Sequence, residues 1–107
     1  MTDRELIEAA AKAAGVYLAP EWRGHHKHLP DWNPLEDDGD ALRLAVQLGL
    51  WVASDNDLGQ SFVADDPEGG GRVALIEWHS AGGNLAATRR AIVRAAAALA
   101  GTAPGGA

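Results

Sequence analysis

A chain of 107 residues, 47% of them apolar, is long enough to bury one hydrophobic core and too short for two. Its formal net charge of −6 opposes general affinity for nucleic acid, which relies on Lys and Arg displacing counterions from phosphate. The lack of cysteine removes disulfides, thiolate ligands and thiol nucleophiles and is compatible with a reducing cytoplasm, while no apolar run approaches the roughly 20 residues that cross a bilayer.

Thr2 followed by Glu5 has the spacing of a capping box, and Leu6, Ala10, Ala13 and Ala14 continue one helical face until Gly15 closes it. Residues 16–18 read as a short extended piece ended by Pro20. Residues 19–34, interrupted by three prolines, a glycine and three histidines, read as a long loop of the kind that often carries function. Asn33-Pro34 then begins a turn, and Asp37 or Asp38 caps the best helix of the chain. Ala41, Leu44, Ala45 and Leu48 share a face that Leu42 and Val46 are expected to widen, and Gly49 stands where a left-handed cap belongs. Residues 50–53 and 60–64 predict two strands joined by an Asp/Asn/Gly turn, and residues 73–78 a third, so that three consecutive strands suggest an antiparallel meander. Asn84 is expected to cap a last helix that buries Leu85, Thr88, Ile92, Ala95, Ala96 and Leu99 and stops at Gly101. Residues 102–107 have nothing to bury and read as a disordered tail, leaving residues 1–101 as a single domain.

The run WNPLEDDGDALRLAVQLGL at residues 32–50, the strand-rich middle and ATRRAIVRAAAALAG at residues 87–101 together resemble the phage ABA sandwich domain family, small bacteriophage proteins. The resemblance covers residues 32–101 and rests on structural motifs. It implies a helix/sheet/helix sandwich and expression in the cytoplasm of an infected bacterium, and it supplies no catalytic residues. The histidine-rich loop lies outside it.

Several groupings look chemical. His25, His26 and His28 are metal-ligand types, and Asp31 or His79 would complete a set of three or four donors. Adjacent side chains of an extended loop point apart, however, and no second spaced pair supports the site, so a solvated loop is the favoured reading. Glu36, Asp37, Asp38 and Asp40 resemble a hard-cation cluster but miss calcium-loop spacing, as does the hairpin group Asp55 and Asp57. Capping and turn chemistry explain both groups more simply. Trp51 and Trp78, in predicted strands, are expected in the core. Trp22 and Trp32 flank the histidine loop as pins or as exposed anchors. Arg89, Arg90 and Arg94 place guanidiniums one turn apart, a fork for phosphate or carboxylate or, more simply, a solvated face. Ser80 beside His79 lacks the glycines of a nucleophile elbow.

The expected fold is therefore α+β, a three-stranded antiparallel sheet packed with about three helices in an α/β/α-type sandwich. The expected function is that of a non-enzymatic phage accessory protein that binds a host protein or protein–nucleic-acid complex, as an inhibitor of host defence or nucleic-acid processing. Contact would run through Glu36, Asp37, Asp38, Asp55, Asp57, Asp65, Asp66, Trp22 and Trp32, without direct nucleic-acid or membrane contact, catalytic residues, metal or cofactor. The alternative is a metal-dependent enzyme or small-ligand sensor built on the histidine loop.

Overall fold

The computed structural model describes residues 2–16, 32–66, 68, 71–79 and 83–101. Helix α1 (Asp3–Ala14) begins with the expected capping box: Thr2 Oγ1 accepts from Glu5 N–H, and Glu5 accepts from the Thr2 N–H in return. Gly15, at φ +71°, closes it in the left-handed conformation that costs other residues strain. Helix α2 (Asp38–Gln47) is capped by Asp37, whose carboxylate accepts from Asp40 N–H. At its far end the Gly49 N–H donates to Val46 O and the Leu50 N–H to Ala45 O, the two bonds of a Schellman motif around Gly49 at φ +67°.

The chain then forms the antiparallel meander β1 (Trp51–Asp55), β2 (Gln60–Ala64) and β3 (Ala74–Trp78), in the order β1-β2-β3. Register pairs Ala53 with Phe62 and Phe62 with Ile76, and the His79 N–H to Gly59 O bond carries the β2–β3 pairing one step further. Between β2 and β3 the Asp65 carboxylate takes the backbone N–H groups of Arg72 and Val73, each at 3.1 Å. Gly71 lies so close to that carboxylate that a Cβ there would collide with it.

Helix α3 (Gly83–Gly101) is the centre of the packing, touching the sheet on one side and α1 and α2 elsewhere. That position explains why it is buried nearly all round, through Ala87, Ala91, Ile92, Val93, Ala95, Ala96 and Ala97. The single face read from sequence was too narrow: Val93 is buried and Leu85 is exposed. Asn84 is not the cap, because the helix already includes Gly83; its amide donates to Asn56 Oδ1 in the β1–β2 turn instead.

One cluster joins Leu6 and Ile7 of α1, Leu35, Ala41, Leu44 and Ala45 around α2, Val63 of β2 and Ala91, Ile92, Val93, Ala95, Ala96 and Ala97 of α3. The α+β class with a three-stranded antiparallel sheet holds, and the described helices pack from the side that Val63 faces. Much of this core is alanine, which stabilises little by area, so Leu44, Val63 and Val93 are its largest fully buried apolar side chains apart from Pro34. Leu42 and Val46 do not widen the α2 face. They are exposed, because one residue on from Ala41 or Ala45 turns about 100° around the helix and away from the core.

Candidate interaction surface

Residues paired across antiparallel strands point to one face, so the register sorts the sheet. The inner face, toward α3, carries Ser61 and Val63 beside Ser54, Val52, Glu77 and Leu75. The outer face carries three rows: Trp51, Ala64, Ala74; then Ala53, Phe62, Ile76; then Asp55, Gln60, Trp78. Trp51, Phe62 and Trp78 thus run corner to corner, each about 7–8 Å from the next, with Ile76 alongside.

Trp51 and Trp78 are 57% and 60% exposed, and Phe62 and Ile76 are exposed with them. This corrects the expectation that both tryptophans are core. Alternation allows either face, and the inner one, closed by alanine-rich α3, holds a small serine, a valine and a leucine in the middle of the sheet. With aromatic side chains of 150–250 Å2 each, the four leave on the order of 400 Å2 of contiguous apolar surface, the size at which patches mark interaction sites. Asp55 is the one charged residue among the nine outward positions.

The second acidic group divides between the two ends of this face. Asp55 and Asp57 stand at the β1–β2 turn, where Asp55 Oδ1 accepts from the Asp57 and Leu58 N–H groups. Asp65, Asp66 and Glu68 follow β2 at the opposite end, with Asp66 accepting from the Glu68 N–H. Backbone donation from Arg72 and then Val73 holds the Asp65 carboxyl below its ordinary pKa.

The first acidic group is built into the fold. Asp37 caps α2, and buried Asp40 accepts from the Asn33 N–H at 2.8 Å and from Arg43 at 2.7 Å. Asp38 meets Arg89 at 2.6 Å, while the Arg89 Nε donates to Leu35 O at 2.7 Å. Arg90 pairs with Asp3 at the start of α1, and Arg94 with Glu77 of β3. The arginine row is therefore neither a phosphate fork nor a solvated stripe: each guanidinium ties α3 to a different element. Glu36 is exposed, whereas Trp32, one of the expected contacts, is partly buried against the core, as a pin would be.

Sequence reading missed one polar cluster. Fully buried Ser61 has its Oγ 2.9 Å from His79 Nε2, 2.6 Å from Thr88 Oγ1 and 3.4 Å from Ser54 Oγ. Thr88 donates its only proton to Asn84 O at 2.7 Å, so it accepts from Ser61. The single Ser61 proton goes to that short contact rather than to the long one with Ser54, and His79 must then donate from Nε2. Protons run from His79 to Ser61 to Thr88 to the backbone, the opposite of what a serine nucleophile and its base require. The cluster serves to satisfy polar groups between the sheet and α3.

Trp22, His25, His26, His28 and Asp31 lie outside the described residues. Among the described residues no three His, Asp or Glu side chains are grouped to hold a metal ion, and no helix is long and apolar enough to cross a membrane. No family model, curated protein or solved structure matches the chain.

Proposed function

We propose that this is a small binding protein whose outer sheet face docks on a protein surface that is apolar at its centre and basic at its edges. The carrying observation is the diagonal of Trp51, Phe62 and Trp78, exposed and bracketed by Asp55 and Asp57 at one end and by Asp66 and Glu68 at the other. Exposed tryptophan is the residue type most enriched among interface hot spots, and acids at a rim attract a basic partner and set the encounter rate more than the final affinity. The resemblance to phage proteins supports the next step. The partner is a host protein or protein–nucleic-acid complex in the bacterial cytoplasm, and the chain acts as an anti-CRISPR-like inhibitor that occupies a basic nucleic-acid-binding groove. Of the residues expected to make contact, Asp37 and Asp38 have structural tasks, so the rim acids and the tryptophans of the sheet take that role.

The test is site-specific photo-crosslinking in host lysate from position 62, with position 4 on α1 as control, followed by binding kinetics with the purified target. Trp51→Ser with Trp78→Ser should weaken binding by about 100-fold or more, chiefly through faster dissociation. Asp55→Asn with Asp57→Asn should slow association and flatten its salt dependence. Wild-type kinetics in both variants, together with loss of binding in His25→Ala with His26→Ala, would move the site to the histidine loop and overturn the proposal.

A further inference from the structure

Strand β1 lies at the edge of the sheet, and all five of its residues are exposed. Helix α3 lies over β2 and β3 and reaches only the margin of β1, so even the inward Val52 stays open to solvent. Proteins guard such edges with proline, lysine, bulges or a covering segment. The sequence Trp-Val-Ala-Ser-Asp contains no proline or lysine, its pairing with β2 is unbroken by a bulge, and among the described residues no strand borders its free side.

We infer that a second copy of this chain occupies that edge, with β1 pairing antiparallel to itself about a two-fold axis through Ala53. In that register Trp51 faces Asp55 of the second copy, Val52 faces Ser54, and Ala53 faces its own equivalent. Each large side chain therefore meets a smaller one, and the two tryptophans do not collide. The two Asp55 carboxylates fall at opposite ends, about 14 Å apart along the strand and beyond the ~8 Å Debye length of physiological salt, so the net charge of −6 is not concentrated at the contact. The product is a six-stranded sheet with two exposed aromatic diagonals on one face, related by the axis. A five-residue edge buries less than the roughly 1,200 Å2 of a standard interface, so the dimer is weak and concentration-dependent. The self-pairing does not depend on the proposed function. If both hold, the dimer presents its partner with two linked docking faces, and avidity follows.

Sedimentation velocity of the full chain from about 5 µM to about 500 µM should show the weight-average mass rising toward twice the monomer. Ala53→Lys sets two ammonium groups against each other on the axis and should stay monomeric throughout, whereas Trp78→Ser, on the outer face of the opposite edge strand β3, should associate like wild type. Hydrogen exchange on the unmodified chain provides the control for folding: amides in residues 51–55 should gain at least about tenfold protection at the high concentration, and those in residues 74–78 should not. A wild-type chain that stays monomeric, association lost in both variants as face-to-face stacking requires, or protection gained in β3 instead of β1 would each overturn the inference.

Discussion

Leu44 and Leu42 stand two residues apart on α2, one fully buried at 1% exposure and the other 64% exposed, so the same substitution at each isolates burial. Leu→Ala removes three carbons. At about 0.8 kcal/mol per buried CH2 the transfer loss at Leu44 is roughly 2.4 kcal/mol. Its neighbours in the core, Ala41, Ala45 and the alanines of α3, are short side chains on helix backbone and cannot swing into the space. A residual cavity of ~40 Å3 then adds about 1 kcal/mol at ~24 cal/mol per Å3, bringing the expected loss to about 3 kcal/mol. For a domain of this size that lowers the melting midpoint by about 12 to 20 °C. Leu42→Ala should cost less than about 0.5 kcal/mol, because most of that side chain is already in water and alanine is the better helix former. Urea melts followed by circular dichroism, with equal m-values for both variants, give the two numbers. Equal losses, or a larger loss at Leu42, would show that α2 is rotated about its axis relative to the face described.

The Asp65 loop should lose stability in acid. Its carboxyl is held below its ordinary pKa, so the stabilisation is present above about pH 4, the unfolded value, and disappears as pH falls through the lower folded value. Asp65→Asn offers one acceptor where the backbone donates to two, so its melting deficit against wild type should be constant from pH 7 to about 4 and close below that; a deficit unchanged down to about pH 2 would sink the assignment. The proton order of the cluster requires the His79 ring to carry a hydrogen on Nε2, which 15N NMR of the ring reads directly, and a ring with its hydrogen on Nδ1 alone would reverse the argument against a nucleophilic Ser61.

Features set by neighbours in sequence were legible. The capping box at Thr2, the Asp37 cap, the left-handed glycines 15 and 49 and the span of β2 each depend on a few adjacent residues, and each stands where local chemistry puts it. The face of the sheet was not legible, for a specific reason: Val52, Val63 and Leu75 alternate with Trp51, Phe62 and Ile76, so both faces are apolar and alternation has no polar side to mark. What decides is α3, which covers one face with a surface of small side chains. The arginine contacts were equally hidden. Arg89 reaches Leu35 and Asp38 across separations of 54 and 51 residues, and Arg90 reaches Asp3 across 87, none of which a local charge count registers. Ser61 and His79, 18 residues apart, are joined only by the pairing of β2 with β3.

Those contacts change what a net charge of −6 means. Among the described residues Arg43, Arg72, Arg89, Arg90 and Arg94 are engaged with acids of the fold, and the partners of the α3 arginines come from α1, α2 and β3. Among the described residues, charge is therefore not divided into an acidic end and a basic end. Excess negative charge is instead carried where acids are engaged with backbone N–H groups rather than with arginine, which stabilises a turn without cancelling its charge. Asp55 and Asp66 are of this kind, and the sheet holds them at opposite ends of the aromatic diagonal. Five strand residues separate the ends by about 17 Å, more than the Debye length of ~8 Å at physiological salt, so the two rims act as separate charges rather than one field. A partner must match each with its own basic group, a demand on orientation as well as on charge. Loss of one rim should therefore slow association without abolishing it, and the tryptophans between the rims should govern how long the complex lasts.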